Sequence, residues 1–440
     1  MAAASPLFYG WIVTGCAFLV LFLTYGVQYS FGVFLPFMLD ELGWQRASIA
    51  GAFSLYTMTY SGCSWISGRL TDTKGPNVVI AVGGFLLGCG IIATSQVSAQ
   101  WQMYVFYGFV AALGMSTAFI PCNTTVVKWF QRKRGLALGL ASCGSSCGIL
   151  LCPPLLAVLI PQYGWRPVYF GCGVVILVVL NIVARFMVRS PELLGLAPDG
   201  DPLLPHRSPL EQSVHPERTL SVVAGEVEGR TMPQSQSLHH SALLTGWSLQ
   251  ESWRFPSFWL LAIVFVIMLL TVPVPFVHIV AFARDLGFSP SQGALAVSIM
   301  GLCAFIGSLS LGSLSDRIGR KQGLMLSLAM HVVAYLLFVG AQSLTVLYCG
   351  AAAFGFFYGS VATLFTALIG DLFGRRHAGA IAGFLFAGAG VLGAWGPMIA
   401  GYLRDTTGSY HLAFIYAVVT SVLSLFLFAV TPKPPPYPSQ

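Results

Sequence analysis

The chain has 440 residues, of which 56% are apolar and only 8% charged. A soluble domain carries about a quarter of its residues as charges, so a soluble globule is excluded. Apolar residues recur from the N-terminus to residue 430 with one long break, which also excludes a receptor with one or two spans and leaves an all-α polytopic membrane protein.

The net charge of +7 does not call for nucleic acid as a partner, because the cations sit in short loops between apolar runs, where membrane topology accounts for them. The ten cysteines lie mostly inside those runs, Cys122, Cys143, Cys147 and Cys303 among them, so neither a disulfide framework nor a metal site is expected. No cofactor is expected either. None of the 48 glycines falls in a phosphate-cradling strand–turn–helix setting, which argues against an ATP-driven pump. The first ten residues lack the basic region of a cleavable signal and run into a long apolar segment, which reads as a retained span.

With about 20 residues per crossing, the sequence predicts spans near 11–35, 49–68, 77–96, 101–127, 136–160, 167–188, 257–281, 292–314, 323–341, 344–369, 379–403 and 411–430, twelve in all. The stretch 77–127 holds no charged residue, and the break inside it is placed on the polar cluster from Ser95 to Gln102. With both termini cytoplasmic, inner segments hold 18 of the 22 Lys and Arg, and outer turns hold only Arg46, Arg166, Arg284 and Arg404. That bias is the one positive-inside orientation predicts, with the plasma membrane as the expected location.

Residues 190–255 are different material, with 8 of the 15 acids, seven prolines and four of the eight histidines. They read as a mostly disordered cytoplasmic linker between an N-terminal six-helix half, 1–189, and a C-terminal one, 256–431, with 432–440 as a tail. Linker composition explains His206, His215, His239 and His240 better than metal binding does. The segment Trp247 to Arg254 reads as a short interfacial helix leading into span seven.

The second half echoes the first at a shift of about 244 residues. Gly68-Arg69-Leu70-Thr71-Asp72-Thr73-Lys74-Gly75 follows span two, and Gly312-Ser313-Leu314-Ser315-Asp316-Arg317-Ile318-Gly319-Arg320-Lys321 follows span eight. Pro153-Pro154 is answered by Gly396-Pro397. Two parallel six-span halves follow from the repeat.

On these motifs the chain resembles the major facilitator superfamily, whose loop signature is complete at 312–321 and degraded in the first half. Within it, the chain is similar to the monocarboxylate transporters and oxalate/formate exchangers through Tyr9-Gly10-Trp11, Tyr29-Ser30-Phe31-Gly32-Val33-Phe34, Leu42-Gly43-Trp44 with Arg46, Trp129-Phe130-Gln131-Arg132-Lys133-Arg134-Gly135, Asp285-Leu286-Gly287 and the long central loop. The resemblance implies a major facilitator fold and secondary transport of a small organic anion, a monocarboxylate, by alternating access, with or without a coupled proton. It implies no enzyme activity. It also implies a cytoplasmic gate at Asp72, Asp316, Arg317 and Arg320, where an Asp caps a helix or pairs with an Arg and glycines allow close approach. Two departures stand out. Ala304 and Ser308 occupy the span-eight positions where many members place an Asp and an Arg, and Tyr29 stands where animal members carry a lysine.

An ionisable side chain at bilayer depth marks function by default. No Asp, Glu, Lys or Arg falls in the middle of a span, which leaves His278, beside Pro273 and Pro275 in span seven, and more weakly His331 in span nine. The candidate substrate-binding set is Tyr25, Gln28, Tyr29, Asn123, His278, Tyr358 and Phe384, because hydroxyl and amide groups donate to a carboxylate without the cost of burying a cation. Each has a plainer reading as helix packing. Glycine-rich faces on spans five and eleven read as close-packing surfaces on which the halves slide. The partners expected are the small-molecule substrate, a proton and the bilayer, with no nucleic acid; a single-span accessory protein is left open. The rival readings are a carrier of a neutral or weakly polar molecule and a non-transporting receptor or scaffold.

Overall fold

The computed structural model describes residues 8–130, 133–197, 199, 247–374 and 378–432. Most of the expected linker, 200–246, and the tail from 433 lie outside the described residues. The helices in chain order are α1 Tyr9–Tyr29, α2 Phe31–Leu42, α3 Arg46–Lys74, α4 Pro76–Thr94, α5 Gln100–Met103, a π-helical stretch Tyr104–Ala111, α6 Ala112–Met115, α7 Phe119–Trp129, α8 Arg134–Tyr163 and α9 Trp165–Ala184. After a 3-10 turn at Pro191–Leu194 come α10 Leu249–Ser252, α11 Pro256–Thr271, α12 Pro273–Asp285, α13 Pro290–Ile318, α14 Arg320–Val339, α15 Leu344–Phe373, α16 Ala378–Gly393, α17 Gly396–Thr407 and α18 His411–Val430.

Among the described residues, eleven helical segments are long and apolar enough to cross a membrane. The protein is therefore a multi-pass, all-α membrane protein. The remaining expected crossing, near 49–68, falls in α3, which at 29 residues has the length but carries a run of serines and threonines. Several of these hydroxyls donate to helix carbonyls, Thr57 to Phe53, Ser64 to Tyr60 and Thr71 to Ser67, while Ser67 also donates to Ser116 across the packing face.

The break placed at Ser95 to Gln102 is present, since α4 ends at Thr94 and α5 begins at Gln100. Arg166 holds it, donating to the Ser95 and Val97 carbonyls at 2.8 Å each. Before span seven the predicted segment holds a short helix, α10, closed by a capping box in which Ser248 and Glu251 satisfy each other's backbone N–H.

Several spans are broken by proline. Between α11 and α12, Pro275 has no N–H to give the Thr271 carbonyl, and the Tyr335 hydroxyl donates to that carbonyl instead, at 2.7 Å. At Gly32 a Cβ would collide with the Phe276 carbonyl, so only glycine lets α2 cross α12 at backbone contact.

The glycine faces divide differently from the expectation of a surface on which halves slide. Gly144 and Gly148 of α8 press on Phe18, Phe22 and Gly26 of α1, and Gly393 and Gly396 press on Leu269 and Leu270 of α11, all within one half of the chain. Gly390, against Ser61, is the member that crosses between halves. Small residues were read correctly as close-approach sites, but close approach serves helix pairs inside a half as readily as pairs between halves.

Candidate functional site

Tyr25 and Tyr29 are four residues apart on α1 and therefore share a face, with stacked rings 6.0 Å apart. Tyr29 ends α1, and its hydroxyl lies 2.6 Å from that of Tyr358 on α15, in the other half of the chain. Phe276, next to Pro275 on α12, packs its ring 4.2 Å from Tyr29 and 5.1 Å from Tyr358. Tyr25 meets Phe119 of α7 edge-on, and the Tyr60 hydroxyl of α3 stands beside it. The π-helical stretch turns Tyr107 onto Phe31 and Tyr56, which closes the N-terminal side of this aromatic layer.

On the helices that carry this layer, Gln28 Oε1, Ser54 Oγ, the Tyr107 hydroxyl and Asn123 Oδ1 are buried and without a hydrogen-bond partner among the described residues. Buried polar atoms are nearly always paired, and an unpaired one costs about 1–3 kcal/mol. The segments carrying the layer, 9–39, 47–68, 101–127, 256–283 and 344–370, contain no Asp, Glu, Lys or Arg. No cation replaces the one the family resemblance implies: the Ala304 backbone presses directly on Gly359, and the Ser308 hydroxyl is taken by the Phe305 carbonyl.

Two of the expected residues lie apart from this layer. His278 is fully buried, with Nδ1 3.0 Å from the Tyr410 hydroxyl and Nε2 2.8 Å from the Pro397 carbonyl. Because a carbonyl only accepts, Nε2 carries the hydrogen and Nδ1 accepts from Tyr410, so both ring nitrogens are engaged within the C-terminal half. Phe384 lies toward the α10 end, exposed, against Trp253 and Phe258. His331 stacks on Phe357 at 3.9 Å, away from Tyr29. The sequence reading missed Tyr60 and Phe276. The Tyr56–Tyr60 spacing on α3 and the position of Phe276 beside the double proline are the signals that mark them.

At the end of the bundle away from the termini, the halves are joined by charge. Asp285 accepts from Arg404 at 2.7 Å within its own half and from Arg46 of the other half at 3.0 Å. Arg284 pairs with Asp40 at 2.6 Å, and Asp405 accepts from the Ala47 N–H at 2.8 Å, capping the start of α3 from across the interface. Tyr410, the partner of His278, lies under the guanidinium groups of both Arg46 and Arg404. Within the N-terminal half, Glu41 binds Arg166 and the Trp165 indole, each at 2.6 Å.

Of the expected gate residues, the Asp72 and Asp316 side chains lie outside the described residues. Arg317 is exposed. Arg320 pairs with Asp371 at 3.3 Å, which ties α14 to α15 inside the C-terminal half.

The sequence profile of the Major Facilitator Superfamily matches residues 17–271 and 259–440. The chain belongs to the Major Facilitator Superfamily. It is a multi-pass carrier of the secondary-transport class and not an enzyme. Its similarity to monocarboxylate transporters extends over nearly the whole chain. It is 25% identical to monocarboxylate transporter 12-B of Danio rerio, over 96% of this chain and 87% of that protein, and 27% identical to monocarboxylate transporter 12 of Homo sapiens, over 95% and 80%. Among solved structures, it shares its fold with the nucleoside transporter NupG, at TM-score 0.67 and 13% identity over 96% of this chain and 98% of that one. A bacterial homolog of the human lysosomal transporter Spinster, in an inward-facing and occupied conformation, aligns at TM-score 0.68 and 13% identity over 97% of both chains.

Proposed function

We propose that the protein carries a small monocarboxylate by alternating access, through two six-helix halves in which α3 is the twelfth crossing, with both termini on the cytoplasmic side of the plasma membrane. The observation that carries this reading is the Tyr29–Tyr358 hydroxyl pair, which joins the halves at the level where Gln28 Oε1 is buried without a partner. A substrate entering there takes hydrogen bonds from tyrosine hydroxyls and gives one to the Gln28 carbonyl, so its binding can separate the hydroxyl pair that holds the halves together. The relatives' printed names support the carboxylate class. The Arg46–Asp285 and Arg284–Asp40 pairs serve as the gate at the outer end, and Asp72, Asp316, Arg317 and Arg320 as the gate at the cytoplasmic end. His278, with both nitrogens engaged, orders the outer end of α12 and does not touch substrate.

A carboxylate anion here has no cation to meet. Leaving a charged group unpaired in such surroundings costs several kcal/mol or more. Protonating an ordinary carboxylate at neutral pH costs about 4 kcal/mol. The cheaper course is for the substrate to cross as the undissociated acid, whose own O–H satisfies Gln28 Oε1 while its C=O accepts from a tyrosine. The coupled proton then rides on the substrate and needs no titrating side chain.

The test is uptake by the full-length chain in proteoliposomes across labelled monocarboxylates and their neutral amide and ester analogues. At fixed total acid, uptake should rise as external pH falls, by roughly tenfold per unit while the acid form is limiting, and should drop in Tyr29→Phe. A second reading, carriage of a neutral, weakly polar molecule, is favoured by the same unpartnered acceptors. Preferential uptake of a neutral analogue that carboxylates do not compete would establish it and overturn the first.

A further inference from the structure

At the end of the bundle that carries the termini, a cavity of about 300 Å³ opens between the end of α3, the start of α4 and the end of α9. Its lining residues are Lys74, Gly75, Asn77, Arg185, Met187, Val188, Arg189 and Leu193, three of them cations and none of them acids. The buried Gly75 and Met187 form the floor, and the cations stand exposed at the rim. The first turn of the 19-residue α4 also borders the cavity at Asn77, adding the positive end of a helix dipole. Neither Lys74 nor Arg185 has a carboxylate partner among the described residues.

The internal repeat shows what this corner lacks. At a shift of 244 residues, Asn77 answers to Lys321, and Arg185 and Met187 answer to Ala429 and Thr431. In the C-terminal half, the Lys321 ammonium reaches across and donates to the Ala429 and Thr431 carbonyls at 3.0 Å each, bracing the same corner from within. Asn77 is too short for that reach. In the N-terminal half the corner is left as a cavity, and its cations come instead from Lys74, Arg185 and Arg189 around the rim.

The surroundings place this cavity at a lipid boundary. Leu193 is 67% exposed, and Val78, Ile182, Phe186 and Leu194, on the helices and turn that form the cavity, are all between 46% and 53% exposed. Apolar side chains turned outward beside a ring of cations suit the level where acyl chains give way to headgroups. The volume is at the small end of ligand pockets, enough for a phosphorylated headgroup while the acyl chains stay in the bilayer.

We propose that this cavity binds the phosphate group of an anionic phospholipid headgroup in the leaflet on the terminus side, held by Lys74, Arg185 and Arg189. The site is independent of the substrate layer around Tyr29.

The test uses the purified full-length protein in detergent with a water-soluble dioctanoyl phosphatidylinositol monophosphate as probe, read by equilibrium binding and by the rise in thermal unfolding temperature that binding causes. The expected result is saturable binding that dioctanoyl phosphatidylcholine does not compete. The Lys74→Gln/Arg185→Gln double variant should lose at least about tenfold in affinity, since each cation near an anionic headgroup contributes on the order of a few-fold. Its unfolding temperature without probe should match the parent, which separates lost binding from lost fold. An Arg69→Gln/Arg254→Gln variant, with the same loss of charge elsewhere on this end, should bind as the parent does. Equal affinity in the cavity variant and the parent would overturn the site, and an equal loss in both double variants would reduce it to general surface charge. Displacement of the probe by inorganic phosphate at the probe's own concentration would show a free-anion site and overturn the lipid assignment.

Discussion

At the end of the bundle away from the termini, the two halves of the chain meet through Asp285, shared by Arg46 and Arg404, and through Arg284 on Asp40. Deeper in the bundle they meet through two tyrosine hydroxyls, on α1 and α15, and a phenylalanine on α12. The contrast teaches a division of labour. Charged pairs at the water-facing end can exchange partners with solvent when they separate, so a strong closure there need not be a permanent one. The same pairs at bilayer depth would have no such alternative partner, and a layer of neutral donors and acceptors can open around a ligand at the cost of a single hydrogen bond.

The largest expected effect comes from removing the shared carboxylate. Asp285→Ala leaves two guanidinium groups facing each other and should weaken closure by about 2 kcal/mol, between the values for exposed and buried pairs, or roughly a 30-fold shift in population. Distance measurements between spin labels at Gln45 and Thr406 should broaden toward longer separations; unchanged distances would show that this end is not held by charge. Next comes the neutral layer, where Tyr29→Phe or Tyr358→Phe removes one hydroxyl and should lower uptake about tenfold with the fold intact, the worth of one buried hydrogen bond. An unaffected rate in both variants would remove the hydroxyl pair from the site. His278→Gln should cost about 1 kcal/mol of stability, because the amide reproduces the two hydrogen bonds imperfectly, while the pH response of uptake stays as it is. Loss of that response would make His278 a proton carrier and erase the distinction between the two levels. Smallest is Arg320→Gln, whose half-exposed pair with Asp371 should be worth under about 1 kcal/mol in thermal unfolding.

Much of the fold was legible because apolar run length and cation placement are both set by the bilayer. The four cations assigned to the outer side, Arg46, Arg166, Arg284 and Arg404, were read only as exceptions to a charge bias. Each proves to have a carboxylate partner, Asp285, Glu41, Asp40 and Asp285 again. No local spacing could have shown this, since the partners lie on other elements, up to 244 residues away. The neutral layer was half legible. Tyr25, Gln28 and Tyr29 announce themselves by helical spacing at a span end, whereas Phe276 enters only because a proline kink and Gly32 bring α12 against α2. For His278 the flanking prolines suggested a lined path beside the plainer reading of a packed histidine, and only the fold reveals Tyr410 and Pro397 as its partners. The degraded loop at 68–77 was read as a weakened copy of 312–321, yet Asn77, one of its departures, lines the cation-rimmed cavity where its counterpart Lys321 bridges two carbonyls.

The polarity of α3 bears on how the protein is made. A helix with that many hydroxyls gains little from entering hydrocarbon alone, and two of the helices that cover it, α16 and α17, are among the last to be synthesised. Its seat in the membrane is thus completed only near the end of translation, and a chain truncated before residue 378 would present an uncovered polar helix to the lipid, a ready signal for quality-control proteases.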